Sequence, residues 1–177
     1  NENKRKKKEF DDARKLQLSM LPTSLPVISD IDISAFMETA TEVGGDYYDF
    51  RVSKNGTLTT VIGDATGHGF QAGMMVSAAK SLFNAFEDES DLLVFLKKTS
   101  LSIKKMGFKK MFMGFCLTRY INKKMEIVSA GMPFPMIFRS ESGVVEDIIL
   151  KGPPLGSFNE FNYKKVETEL KPGDIIL

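Results

Sequence analysis

Cysteine, histidine and tryptophan are almost missing from this 177-residue chain, which has one Cys, one His and no Trp. The lone thiol, Cys116, excludes an intrachain disulfide and fits a reducing compartment. The lone imidazole, His68, excludes a histidine cluster for zinc. No Cys precedes the phosphate-cradling Gly/Arg loop of a thiol phosphatase. Cys116 lies in the apolar stretch Met113-Gly114-Phe115-Cys116-Leu117 and reads as a small core residue. No Gly-x-Ser-x-Gly elbow is present to build a Ser-His-Asp triad. Gly63-x-x-x-Gly67-x-Gly69 lacks the Lys-Ser/Thr ending of a P-loop, which argues against nucleotide binding. No apolar run reaches the ~18 residues of a membrane-spanning helix. The formal net charge is +1, so no global field recruits nucleic acid, and no nucleic-acid partner is expected.

What is present suits one globular domain: 42% of residues are hydrophobic and 27% charged. The basic cluster Lys4 to Lys8 reads as a solvated or frayed end. The start is too polar for a signal peptide. The chain begins on Asn1 rather than Met and ends inside the apolar run Ile175-Ile176-Leu177, so both ends are expected to be cuts in a longer protein.

A short amphipathic helix is expected over Glu9 to Leu21, with Phe10, Ala13, Gln17, Met20 and Leu21 near one face and Pro22 as its stop. Ile31 to Met37 alternates like a strand. Asn55-Gly56 is a hairpin signal between Arg51-Val52 and Thr57 to Ile62. A glycine-rich turn follows over Gly63 to Gly69, then a helix over Gln71 to Phe86 with good 3.6-residue periodicity. A second helix is expected from Ser90, an N-cap residue, to a stop at Gly107. Strands fill the rest: Met111 to Tyr120, Met125 to Ser129, Met136 to Phe138, Val144 to Leu150, Tyr163 to Leu170 and Asp174 onward. Strand runs around a central helical pair point to an α+β fold.

Two acidic segments carry the candidate chemistry: Val43-Gly44-Gly45-Asp46-Tyr47-Tyr48-Asp49-Phe50 and Gly63-Asp64-Ala65-Thr66-Gly67-His68-Gly69. They flank the expected hairpin, whose closure makes Asp46 and Asp64 neighbours. Two carboxylates in close company resist joint ionisation unless something compensates. Hard cations such as Mg²⁺ or Mn²⁺ do so, because they take carboxylate, carbonyl and water ligands. Glycines let the backbone bring carbonyls close to such an ion. The alternative is that the aspartates only cap turns. That reading is favoured for Asp49, and the metal reading for Asp46 and Asp64 together.

Glu42-Val43-Gly44-Gly45-Asp46-Tyr47-Tyr48-Asp49-Phe50, Gly63-Asp64-x-x-Gly67-His68-Gly69-x-x-Ala72, Ser129-Ala130-Gly131, Pro154-Leu155-Gly156 and Lys171-Pro172-Gly173-Asp174 occur in this order. Together they resemble the bacterial PPM (protein phosphatase 2C-like) phosphatases of the SpoIIE and RsbU type. Gln17-x-x-Met20-Leu21-Pro22 is similar to the family's helical lead-in. The resemblance runs from about Ala13 to Leu177. It implies a four-layer sandwich of two antiparallel β-sheets flanked by helices, cut short at the C-terminus. Residues 1–21 would be a linker or switch helix and 22–177 the phosphatase domain.

The resemblance also implies two Mn²⁺ or Mg²⁺ ions held by Asp46, Asp64 and the backbone carbonyl of Ala65, with Asp64 bridging both. Gly45, Asp49, Gly67 and Gly69 would support the site. His68 would protonate the leaving oxygen, or only order its turn. The implied activity is hydrolysis of phosphoserine or phosphothreonine by a metal-activated water, on an anti-sigma-factor antagonist (STAS) protein. An upstream sensor domain, a cytoplasmic location with a tether through that sensor, and a homodimer formed through the lead-in helix belong to the same picture.

Met132 stands where many members carry His, and Met113 where Thr is common; both bear on substrate contacts. Members continue past the Gly173-Asp174-Ile175-Ile176-Leu177 region into a Thr-Asp-Gly strand with a further ligand, so this piece alone is expected to be inactive or weakly active. The rival readings are a phosphatase-like module that has lost activity and binds a partner, and a purely structural α+β domain.

Overall fold

The computed structural model describes residues 2–38, 43–86 and 91–177, without the side chain of residue 6. Glu42 and Ser90 lie outside the described residues. The first helix, α1, spans Glu2–Ser19 and starts earlier than the apolar pattern indicated. The Lys-rich start is helical and solvent-exposed, a solvated end as expected, and its long unbranched side chains are good helix formers. Arg5 and Glu9, one turn apart, add an exposed ion pair at 3.5 Å. Only the far end of α1 is held down: Gln17 is buried, Leu21 packs on the core, and Phe10 stays 42% exposed.

Residues 31–38 do alternate between half-buried and exposed, as the sequence pattern requires. They nonetheless form no strand among the described residues. Ile31 makes one isolated bridge to Ile28. Ile28, Ile31 and Ile33 pack against a core cluster without a ladder partner, so the alternation reflects burial alone.

From Asp46 onward the chain builds sheet. β1 (Asp46–Val52) and β2 (Leu58–Ala65) form the expected hairpin around Asn55-Gly56, with Gly56 at φ 83° as such a turn requires. β2 continues through Gly63, Asp64 and Ala65, which places Asp64 on a strand rather than in the turn. β3 (Met113–Ile121) and β4 (Lys124–Ala130) close a second tight hairpin on Asn122-Lys123, both at positive φ. With β7 (Lys165–Glu169) they make a five-stranded antiparallel sheet in the order β1-β2-β3-β4-β7. β5 (Met136–Arg139), β6 (Val144–Asp147) and β8 (Ile175–Ile176) make a second antiparallel sheet in the order β6-β5-β8.

Two helices cover one face of the larger sheet: α2 (Phe70–Asn84) and α3 (Leu92–Lys105). The cap of α3 is Asp91, whose carboxylate accepts from the amides of Leu93 and Val94 at 2.8 and 3.0 Å. One core lies between these helices and the sheet, around Tyr47, Val61, Ala65, Met75, Phe83 and Phe115. The other lies on the opposite face, where Leu58, Cys116, Tyr120 and Ile127 meet Ile137 of the second sheet. The layer order helix, sheet, sheet follows from period-2 alternation, which gives each central strand one set of side chains per core.

Candidate functional site

The hairpin brings the two acidic segments into register. Asp46 pairs with Asp64 directly across the β1–β2 ladder, and Tyr48 with Ile62 behind them. Residues opposite one another in an antiparallel pair project to the same face. Asp46 and Asp64 are both exposed, and both line a cleft of about 720 Å³ with Phe36, Tyr48, Met132 and Pro154. The Asp64 carboxyl is held above its usual range, first by partial desolvation and then by the charge of Asp46.

Ala65, next to Asp64, is buried and does not line the cleft; it is held against Gly45. The Ala65 amide donates to the Gly45 carbonyl at 2.9 Å. A Cβ on residue 45 would run into the Ala65 carbonyl oxygen, so only glycine allows this approach. Gly67 and Gly69 have φ of 86° and 75°, left-handed values that let the chain turn from β2 into α2. The Gly69 amide donates to the Val43 carbonyl at 2.8 Å, which ties this turn to the first acidic segment. Thr66 anchors the turn from the other side. Its amide donates to the Phe112 carbonyl at 2.9 Å, and its hydroxyl accepts from the Phe112 amide at 2.9 Å.

His68 is exposed on the turn, and its ring makes no hydrogen bond among the described residues. The order of the turn comes from Thr66, Gly67 and Gly69 instead.

Asp49 is separate from the acidic pair. It caps no turn. It sits mid-strand, 6% exposed, on the face that looks toward α2. Its carboxylate accepts from the Tyr47 hydroxyl at 2.9 Å and from Lys80 Nζ at 2.6 Å. Burial and the Asp49 charge together push the Tyr47 phenol far above its usual pKa.

Two supporting motifs, Ser129-Ala130-Gly131 and Pro154-Leu155-Gly156, meet at the same end of the sheet, whereas Lys171-Pro172-Gly173-Asp174 lies at the other end, beside the β3–β4 turn. Met113 and Leu155 exchange two backbone hydrogen bonds, of 3.2 and 2.8 Å, and the Gly131 amide donates to the Gly152 carbonyl at 3.0 Å. Met132 reaches the cleft, but Met113 is fully buried beside Gly63, so it is a core residue and no substrate contact.

Two features were not legible in the motifs. Gln17 of α1 grips the backbone of Gly44: its Nε2 donates to the Gly44 carbonyl at 2.6 Å and its Oε1 accepts from the Gly44 amide at 2.9 Å. Asp49 and Lys80 form the buried pair described above. A glutamine at helical spacing and a lysine on an amphipathic helix carry no signal of such partners.

Among the described residues, no group of three His, Cys, Asp or Glu side chains converges on one point. The acidic donors that line the cleft are the two carboxylates of Asp46 and Asp64, one of which already resists ionisation. That set matches a hard divalent cation and does not match zinc or copper.

Residues 54–177 match the family described as Stage II sporulation protein E (SpoIIE). The phosphoserine phosphatase RsbU of Bacillus subtilis is 25% identical over 174 residues, which is 97% of this chain and 52% of RsbU. The chain thus spans about half the length of that relative. The solved RsbU and RsbW domains of Rv1364c from Mycobacterium tuberculosis superpose with a TM-score of 0.64 at 22% identity, over 76% of this chain and 38% of that one. RsbX, solved in complex with magnesium, gives 0.60 at 16% identity, over 75% and 63%. These likenesses show a PP2C-like fold. The match over 54–177 shows that the chain belongs to the SpoIIE family.

Proposed function

We propose that this chain forms the catalytic part of a metal-dependent serine/threonine protein phosphatase. Its substrate is phosphoserine or phosphothreonine on an anti-sigma-factor antagonist (STAS) protein. The observation that carries the reading is the Asp46–Asp64 pair, side by side on the cleft face with the Ala65 carbonyl behind Gly45. The likeness to RsbU, a phosphoserine phosphatase, supports the substrate class.

Asp46, Asp64 and the Ala65 carbonyl would hold Mn²⁺ or Mg²⁺. Bound there, such ions activate water near neutral pH and neutralise charge on the phosphoryl oxygens. The protein's own part is positional. The hairpin register fixes the carboxylate spacing, Gly45 admits the carbonyl, and the cleft receives the phosphorylated segment. His68, free of hydrogen-bond partners among the described residues, gives its proton to the leaving serine or threonine oxygen. Residues 1–21 act as the linker to an upstream sensor and 22–177 as the phosphatase domain, in a cytoplasmic protein tethered through that sensor.

Two carboxylates and one carbonyl are few donors for two ions, so the 177-residue chain by itself binds cations weakly and turns over slowly. Thermal melting with and without Mn²⁺ tests the site. The chain should gain stability as cation rises, by about 2.7 kcal/mol at 100 times Kd, and Asp64→Asn should abolish the gain. No Mn²⁺ effect on the parent chain would favour the purely structural reading, in which the aspartates bind no cation.

A further inference from the structure

The outer face of α3 is charged with one sign. Between Leu92 and Met111 the sequence has six lysines, Lys97, Lys98, Lys104, Lys105, Lys109 and Lys110, and no Asp or Glu. All six are exposed. None takes part in an ion pair among the described residues. Since the whole chain carries only +1, this is a strong local excess.

The spacing makes it a stripe. Lys97 and Lys98 recur as Lys104 and Lys105 two helical turns on, so the four share one face. Val94 and Leu101 lie on that face and are 47% and 36% exposed. The stripe is thus of one charge sign, with apolar side chains between its lysines. Beside the stripe, Phe158 and Phe161 are 58% and 39% exposed, and with Lys97, Lys98 and Leu101 they line a groove of about 290 Å³. The groove also holds one carboxylate, Glu160. The loop is fixed to the stripe, because Lys104 Nζ donates to the Ser157 carbonyl at 3.0 Å and Lys97 Nζ to Asn162 Oδ1 at 3.4 Å.

Its position gives the surface a use. Lys109 and Lys110 lead straight into Phe112, whose backbone holds Thr66, and then into β3, where Met113 pairs with Ala65 and Gly114 with Asp64. The basic stripe therefore ends at the same edge of the molecule as the acidic pair. We propose that this stripe, with its apolar groove, docks an acidic, apolar-centred face of the phosphoprotein substrate while the phosphorylated residue enters the cleft. The inference rests on the phosphatase reading of that cleft. Continuity with a site for a phosphorylated side chain favours a protein over a nucleic acid or a lipid surface.

The test uses the full-length natural protein with Mn²⁺, a serine-phosphorylated STAS protein and p-nitrophenyl phosphate. Lys98→Glu with Lys105→Glu should raise KM for the protein substrate about tenfold with kcat little changed, since docking charges act on encounter. Turnover of p-nitrophenyl phosphate should not change, and Lys98→Arg with Lys105→Arg should restore KM. An unchanged KM in the charge-reversed variant would overturn the proposal. So would loss of binding to phosphatidylserine vesicles with KM unmoved. If the parent protein hydrolyses neither substrate, the phosphatase reading fails, and calorimetric titration with the phosphoprotein still decides docking: a tenfold weakening supports it, equal affinity sinks it.

Discussion

Gly45 and Ala65 hold each other through one backbone hydrogen bond, 2.9 Å from the Ala65 amide to the Gly45 carbonyl, with the Ala65 carbonyl oxygen in the space that a side chain at position 45 would fill. The acidic pair depends on that contact, because Gly45 and Ala65 are the immediate neighbours of Asp46 and Asp64.

Gly45→Ala should therefore disturb both strands. Forced overlap with backbone costs on the order of 1–3 kcal/mol. We expect a lower denaturant midpoint, and a smaller Mn²⁺-induced rise in melting temperature than the parent shows. Gly56→Ala is the contrast. Its added Cβ meets nothing within 4 Å, although its φ of 83° strains any other residue. It should lower stability and leave the cation response intact.

The Asp49–Lys80 pair lies under the hairpin, with side chains 9% and 22% exposed. Removing one partner leaves the other charge poorly solvated, which should cost about 2–3 kcal/mol. Asp49→Ala and Lys80→Ala should each destabilise. A double-mutant cycle by urea unfolding should show that the two losses do not add. Additive losses would mean that the pair is not coupled.

How much of this was readable from residues alone differs by element. The hairpin at Asn55-Gly56 and the nearness of Asp46 to Asp64 follow from local chemistry, but the register does not: a two-residue turn would set Asp46 opposite Ala65, whereas the longer turn, with Gly56 and not Asn55 at positive φ, sets it opposite Asp64. The two helices after Gly69 follow from periodicity. The extended run 31–38 misled because side-chain alternation reports burial and not ladder partners, and no ladder exists there. Asp49 misled because a carboxylate near glycines is common at turns, whereas its partners, Tyr47 on its own strand and Lys80 on α2, are set by packing. The Gln17–Gly44 contact joins residues 27 positions apart, beyond the reach of any local rule.

That contact makes its own prediction. Gln17 is 4% exposed and satisfies both polar groups of Gly44. Gln17→Ala leaves a half-buried amide and carbonyl unpaired, at a cost of about 1 kcal/mol. Hydrogen exchange at Gly44 should quicken, and α1 should become more open to proteolysis, while amides in the β3–β4 hairpin stay protected.

Acid stability should carry the mark of Asp174. Its carboxylate accepts from the Lys171 and Ser140 amides, both at 3.0 Å, and from Arg139 at 3.0 Å; Arg139 also donates to Thr168 and Glu169 of β7 and so joins the two sheets. Those backbone donors, then Arg139, hold its pKa at about 2, below the ordinary 3.8. A depressed carboxylate stabilises the fold at pH above its unfolded value and loses that contribution as pH falls through the folded one. Asp174→Asn should thus be less stable than the parent at pH 7. The difference should hold down to about pH 4 and shrink toward pH 2. A difference that persists unchanged at pH 2 would assign the loss to shape rather than charge.

The most direct measurement is hydrolysis of a serine-phosphorylated STAS protein by the full-length natural protein, with Mn²⁺, with EDTA, and with Asp64→Asn in place of the parent. The account predicts turnover with Mn²⁺ only, and a loss of at least about 100-fold in kcat for Asp64→Asn, as expected when a metal ligand rather than a turn cap is removed. Turnover that survives EDTA, or an Asp64→Asn variant as fast as the parent, would contradict it.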